Sequence, residues 1–403
     1  MNANLIIALG NKIVDPRKRL GKVKYTATQI LFMTFIAVLA GCSEWGEIAD
    51  FCDCQLEFIR RYFPDLEKTP SHDTFNRFFS ILKSKEFEKA FREWITEYFP
   101  TPKGTVCIDG KAIRGAAKYD PRYKNSKDPS PIDMVTLWSR EYGISFGQLA
   151  VEEKSNEITA IPKLLALMDL VGCVVTIDAM GCQKDIADAI LKTNADFLLA
   201  CKGNQEYLNE TARSFFDNQE ENLKHAPEAE NWYHSVTTED KGHGRLEKRE
   251  VTSFGQPGGG NYFEKELNAP KPWKGINAFV RVRSTRTIMS TGETSIEDRY
   301  YITSLKAEQI DRIAASIRDH WSIENQLHWQ LDVTFGEDES RRIGNAAQNM
   351  SIINKTVLST IKLFKEKTES KKSMKNLRMR AGWDISFLQQ VIETAVWPKS
   401  DES

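Results

Sequence analysis

Through the first hundred residues, apolar positions recur at helical spacing. Ile30, Phe35 and Val38 fall in one such segment, with Thr26 placed to cap it, and Ile48 and Phe51 fall in another behind Ser43. Ser71, just after Pro70, precedes Phe75, Phe78, Phe79 and Leu82, and a last helix is predicted over Phe87 to Tyr98. Pro100-Thr101-Pro102, with Gly104, then marks a boundary. Residues 1–100 are therefore expected to form an N-terminal helical domain. With Arg60 and Arg61 outward it would be a DNA-reading module, and a plain helical subdomain fits the same pattern.

From residue 104 the period changes. Thr105–Ile108 is a short apolar run, and strands are predicted near Met134–Arg140 and Ile144–Glu152, joined by the turn Glu141-Tyr142-Gly143. A Leu-rich helix from about Glu157 to Leu170 follows, then a buried strand at Val174–Ile177, a helix from Lys184 to Leu191 and a strand at Phe197–Cys201. Strand, hairpin, helix, strand, helix, strand predicts an α/β fold, a mixed sheet with helices packed on it. Residues 204–300 read as a mostly β insertion, with strand-like stretches near Trp232–Thr238, Arg245–Phe254, Ala278–Arg283 and Asp298–Ser304. A long helix from about Ala307 to Leu331 returns the chain to the sheet.

Two or three domains are expected of 403 residues, 41% of them hydrophobic. The formal net charge of −1 argues weakly against a nucleic-acid partner, but the charges are not evenly spread. Residues 12–24, 111–127 and 362–380 are basic runs, partly cancelled by acidic residues near 217–230. Such runs present positive surface to phosphates or form solvated helix faces. The seven cysteines include no CxxC pair, which fits buried reduced thiols and the cytosol. The apolar run Ile30–Ala40 is too short for a membrane span of ~20 residues, so a soluble cytoplasmic protein is expected.

Three carboxylates stand out against this pattern. Asp109 closes Val106-Cys107-Ile108, and Asp178 closes Val174-Val175-Thr176-Ile177. Aspartate is depleted in strands, and the carboxyl edge of an open sheet is where ligands gather. Each Asp could equally cap the next turn. In the long helix a buried stripe is predicted from Ile310, Ile313, Ile317, Trp321, Leu327 and Leu331, and Glu324 falls inside it. An inward carboxylate is costly unless paired, for instance with Arg318, or bound to metal. Three converging carboxylates would suit two Mg²⁺ or Mn²⁺ ions acting in phosphoryl transfer.

These residues lie in recognisable motifs: Ile108-Asp109-Gly110-Lys111-Ala112-Ile113-Arg114-Gly115, Thr176-Ile177-Asp178-Ala179-Met180-Gly181-Cys182-Gln183 and His320-Trp321-Ser322-Ile323-Glu324-Asn325. With His328-Trp329, Leu331-Asp332-Val333, Ser71-His72-Asp73-Thr74-Phe75, Lys202-Gly203-Asn204-Gln205 and His243-Gly244-Arg245, the chain resembles the H-repeat-associated insertion-sequence transposases of the DDE superfamily. The resemblance implies a ribonuclease H-like catalytic core over 104–203 and 301–365, a β insertion over 204–300 and a basic C-terminal tail over 366–403. It also implies that Asp109, Asp178 and Glu324 are the catalytic, metal-binding triad. The implied partners are double-stranded DNA, as terminal inverted repeats and target, and a second copy of the chain in the DNA complex. Neither a membrane nor a small-molecule substrate is expected, and the protein would associate with the bacterial nucleoid when bound to DNA.

Lys111, Arg114, Lys202, His243, Arg245, Arg318 and His320 are the candidate DNA contacts. Asp332, Glu337, Asp338 and Glu339 form a second acidic cluster, from which Asp332 ranks behind Glu324 as third ligand. Related cut-and-paste transposases surround the Glu with Tyr, Arg and Lys where this chain has Ile317, His320 and Leu331. The implied function is cleavage of the element's 3′ ends and their joining to target DNA. The alternatives are a metal-dependent nuclease of the same fold and a catalytically inactive, DNA-binding relic.

Overall fold

The computed structural model describes residues 3–18, 23–99, 101–120, 131–152, 155–225, 227–242, 244–257 and 273–394. Arg19, Lys22, Pro100, Arg122, Lys124, Lys127 and His243 lie outside them, and with them parts of two basic runs and the DNA contact expected of His243. The first helices are α1 (Ala3–Lys12), α2 (Ala27–Leu39), α3 (Trp45–Cys54), α4 (Leu56–Arg60), α5 (His72–Ile81) and α6 (Ser84–Tyr98). Next come β1 (Thr105–Ile113), α7 (Arg114–Tyr119), β2 (Ile132–Ser139), β3 (Ile144–Ala150), α8 (Glu157–Leu165), β4 (Val174–Ile177), α9 (Lys184–Leu191) and β5 (Asp196–Cys201). The chain continues through α10 (Glu206–Asp217), α11 (Gln219–His225), β6 (Tyr233–Gly242), β7 (Arg245–Phe254), β8 (Ala278–Ile288) and β9 (Thr294–Thr303). It ends with α12 (Ile310–Ile323), α13 (Trp329–Val333), α14 (Gly344–Lys367), α15 (Met374–Trp383) and α16 (Ile385–Thr394).

This is a mixed α/β protein, as expected, with a large mixed sheet flanked by helices and a helical N-terminal region. By contacts the chain divides into two compact units, the first of residues 1–101, 110–155 and 323–403, the second of 102–109 and 156–322.

In the first unit the short apolar run becomes the central helix. Thr26 caps α2 in a reciprocal box: its Oγ1 accepts from Gln29 N at 3.1 Å, and its own N–H donates to Gln29 Oε1 at 2.8 Å. Ile30 through Leu39 are buried on every side, because α1, α3, α14 and α15 surround the helix. Among the described residues no helix is long and apolar enough to cross a membrane. The antiparallel β2–β3 hairpin carries α6 and α14. The basic C-terminal region folds as α15 and α16, because Leu377, Ala381, Phe387, Leu388, Val391 and Ile392 supply a buried face.

In the second unit, β1, β4 and β5 run parallel, and β9, β8, β7 and β6 follow in antiparallel order. The β-rich residues of 204–300 thus extend this sheet. Tyr300–Thr303 of β9, buried except for half-buried Tyr301, pair with Leu198–Cys201 of β5, satisfying backbone groups that an open edge would expose. On one face α12 packs Ile313 and Ile317 against Val174, Leu198, Val251, Val280 and Val282.

The helical stripe predicted between Ile310 and Leu331 is corrected at two positions. Ile313, Ile317, Leu327 and Leu331 are buried, but Trp321 is 42% exposed and Glu324 is exposed. A π turn over Glu324–His328 follows, in which Trp329 N–H reaches back five residues to Glu324 O. The extra residue shifts the 3.6-residue phase only of what lies beyond it, and the exposed Glu324 carboxylate avoids the cost of burial.

Candidate functional site

The register of β1 on β4 ends at Ile108↔Ile177, so Asp109 and Asp178 are each the next residue on neighbouring parallel strands. Strands so paired lie ~4.8 Å apart, which places both half-buried carboxylates on one edge. β1 itself does not stop at Asp109, as the sequence suggested, but runs on to Ile113.

The Asp178 carboxylate also fulfils the capping role open to it. Its Oδ1 accepts from Met180 N at 3.0 Å and Gly181 N at 3.4 Å. A side chain at Gly181 would put Cβ 2.2 Å from Ile177 Cγ2, so only glycine fits the turn. The Lys202-Gly203-Asn204-Gln205 motif clamps the same turn: Asn204 Nδ2 donates to Ala179 O at 2.6 Å, and Gln205 Nε2 to Cys182 O at 3.0 Å. Lys202 itself is exposed.

Three contacts seat α12 on the ends of β1 and β4. Thr105 Oγ1 donates to Ser316 Oγ at 3.1 Å, Cys107 Sγ lies 3.4 Å from Asp319 O, and Thr176 Oγ1 is 3.0 Å from His320 Nδ1. Burial lowers the His320 pKa, opposed by the charge of Asp178. His320 is therefore held to β4 through Nδ1, near Asp178. Trp321 lies over the Arg299 guanidinium, 4.6 Å from ring centroid to Cζ. Arg318 and Arg245 are exposed.

In the first unit, Glu324 opens the π turn. Lys111 is corrected as a DNA contact: its side chain is 9% exposed, and Nζ lies 2.7 Å from Asp332, 3.2 Å from Glu337 and 3.5 Å from Asp338. Burial alone would lower its pKa, but the facing carboxylates raise it, so the ammonium stays charged. The acidic cluster proposed as a substitute ligand is thus a counter-charge for Lys111. Arg114 remains outward, its side chain 79% exposed, while its backbone N–H donates to Asp338 Oδ1 at 3.3 Å. Gly115 is needed where this segment passes 338–340, since a Cβ would sit 2.3 Å from Ser340 O.

Among the described residues, no three His, Cys, Asp or Glu side chains are gathered closely enough to hold a metal ion. The roles of Thr176, Asn204 and Gln205 were not read from the sequence, although the Lys202–Gln205 motif was singled out. The acidic cluster was seen, but its pairing with Lys111 depends on a fold-distant contact.

The sheet thus sets Asp109, within β1, beside Asp178, just past the end of the parallel β4, with α12 seated against both strands. The sequence profile described as "Transposase DDE domain" matches residues 100–360, and "DDE_Tnp_1-associated" matches residues 11–95. The chain belongs to the DDE transposase family. It is 38% identical over 387 residues to "Putative transposase YncI" of Escherichia coli O157:H7, covering 94% of this chain and 92% of that protein. It is 33% identical over 389 residues to "H repeat-associated putative transposase YhhI" of Escherichia coli strain K12, covering 94% and 96%. The piggyBac transposase in its synaptic complex with hairpin DNA is similar at a TM-score of 0.44 and 11% identity, covering 100% of this chain and 83% of that one.

Proposed function

We propose that this transposase cleaves the 3′ ends of its insertion element and joins them to target DNA, with Asp109, Asp178 and Glu324 as the catalytic carboxylates. The observation that carries this reading is the register of β1 on β4, which sets Asp109 and Asp178 side by side in a chain matched by the DDE profile. The resemblance of His320-Trp321-Ser322-Ile323-Glu324-Asn325 to the family's motif supports Glu324 as the third.

The donor chemistry fits hard divalent ions. All three groups are carboxylates, the oxygen donors that such ions favour. When bound, two Mg²⁺ or Mn²⁺ ions would acidify the attacking water or 3′-hydroxyl and stabilise the departing oxygen. The chain's own work is orientation. Asp178 Oδ1 is committed to two backbone amides, so ligation falls to Oδ2. The Asn204 and Gln205 clamp keeps that oxygen from turning away. Neutral His320 fixes α12 to β4 without adding a cation that would compete with a metal ion.

The N-terminal helical domain, together with Arg114, Lys202, Arg245 and Arg318, is assigned to holding double-stranded DNA, and pairing of two ends requires two copies of the chain. Purified protein incubated with labelled element-end DNA and Mg²⁺ tests the proposal. The expected result is 3′-end nicking plus joined products. Asp109→Ala, Asp178→Ala and Glu324→Ala should each abolish both, by roughly 10³-fold or more on the scale of lost electrostatic stabilisation, with DNA affinity retained. Hydrolysis without joining makes the protein a nuclease, and binding without cleavage makes it a relic. Cleavage that survives Glu324→Ala overturns the third assignment.

A further inference from the structure

The thirteen residues Lys371–Trp383 hold five cations and no carboxylate. The fold sorts the basic run they belong to into two kinds. Lys362 and Arg378 are buried and serve the packing. Lys362 Nζ lies 3.9 Å from the Trp138 ring centroid. Arg378 donates from Nε and Nη2 to Val38 O at 3.1 and 2.7 Å, donates from Nη1 to Thr334 O, and stacks 4.2 Å from the Phe335 centroid. Arg378 thus pins α15 to the carboxyl end of α2, where the helix dipole favours a cation.

The remaining cations face outward. At ~100° per residue, Lys375, Met379 and Trp383 fall on one stripe of α15, with Asn376 and Arg380 beside it. Lys371 and Lys372 precede the Ser373 cap, whose Oγ accepts from Asn376 N at 3.2 Å. Trp383 is 76% exposed and Met379 is 40% exposed. The nearest following acid, Asp384, has its Oδ1 occupied by the Ser386 and Phe387 amides. An exposed indole is costly in water, and here it is bordered by lysines on a helix that Arg378 prevents from shifting.

We propose that the outward face of α15 is a DNA-binding surface, in which Lys371, Lys372 and Lys375 neutralise phosphates and Trp383 lies against a sugar or an unstacked base. The proposal rests on the transposase reading for the presence of DNA. Charge complementarity selects the partner, because a purely apolar docking site would not border two large apolar side chains with lysines. Lysines supply point charges rather than base-reading forks, and Arg380 stacks 4.1 Å from the Phe387 centroid. The surface therefore adds affinity and salt dependence, not sequence choice.

The test uses the full chain, with fluorescence anisotropy on element-end and unrelated duplexes over a range of salt. Combined Lys371→Gln, Lys372→Gln and Lys375→Gln should flatten the slope of log K against log salt by about 2–3, at ~0.9 per phosphate contact, on both duplexes. Trp383→Ala should weaken binding roughly 5- to 150-fold with the slope unchanged, from about 1–3 kcal/mol of stacking. Thermal melting of both variants should match the parent, since the altered side chains are exposed. Parental slope and affinity in both variants overturn the proposal. So does loss of self-association in sedimentation, or of binding to anionic phospholipid vesicles, with DNA binding intact. If the parent cleaves and joins ends while the variants bind as it does, this surface fails and the transposase reading stands. If the parent binds no DNA, both fall.

Discussion

The two regions that carry the proposed carboxylates are held by different forces. In the second unit the turn after Asp178 is fixed mostly by neutral amide hydrogen bonds, Asn204 on Ala179 O and Gln205 on Cys182 O, beside two backbone amides on the Asp178 carboxylate and a glycine that leaves no space. In the first unit the helix that opens with Glu324 is surrounded by buried charge. Lys111 is clasped by Asp332, Glu337 and Asp338, while Lys362 lies over Trp138 and reaches Gln326 Oε1 in the π turn at 3.5 Å. Neutral hydrogen bonds are nearly indifferent to pH. Buried charges depend on it and fail abruptly when one partner is lost. The Glu324 region should therefore be the more fragile of the two, although it is the more exposed at its carboxylate.

The sharpest way to break that contrast is at Lys111. Lys111→Ala leaves Glu337, only 4% exposed, without its cation, which should cost about 3–5 kcal/mol. Thermal unfolding should report this as a large fall in midpoint. Adding Glu337→Gln removes the orphaned charge and should recover most of the loss. If the single variant melts like the parent, the clasp is a surface pairing and the contrast collapses.

A smaller effect is expected in the neutral region. Gly181→Ala forces Cβ against Ile177 Cγ2 and should cost about 1–3 kcal/mol, in the range of overpacked cores. Because the strain falls beside Asp178, single-turnover nicking should drop more than stability predicts, with DNA affinity unchanged. Nicking that falls only in step with the unfolded fraction would show that the turn does not orient the carboxylate.

The contrast also explains what the sequence could reveal. Asp109 and Asp178 were legible because a short apolar run ending in Asp is a local signal, and a parallel pairing needs only that both runs be strands. The capping of α2 by Thr26 was legible for the same reason, since its partner Gln29 is three residues away. Glu324 was legible as a motif but not in its setting, because hydrophobic spacing places it inside a stripe whose positions Trp321 and Glu324 are in fact exposed. Lys111 resembled a phosphate ligand because its three carboxylates lie more than two hundred positions along the chain. The final basic run showed its charge but not its division, because burial of Lys362 and Arg378 is decided by packing against Trp138 and Phe335.

Lys362 gives the finest measure of the difference between the regions. Burial lowers its pKa from the ordinary 10.5 to about 7, partly offset by Glu366. Between those values the unfolded chain binds a proton that the folded chain does not, so stability rises with pH through this window. Below about pH 7 both states are protonated and the full cost of the buried ammonium remains. Lys362→Met removes the charge while keeping the length of the chain over Trp138. The variant should gain most on the parent at pH 6 to 7, and the gain should shrink steadily toward pH 10. Midpoints of thermal unfolding across that range supply the measurement, with a change of a few degrees expected, since the lost cation–π contact (about 0.5–2 kcal/mol) offsets part of the gain. A difference that is flat with pH would mean that Lys362 keeps its proton in the fold. The first unit would then be held by ordinary packing after all, and its fragility would rest on Lys111 alone.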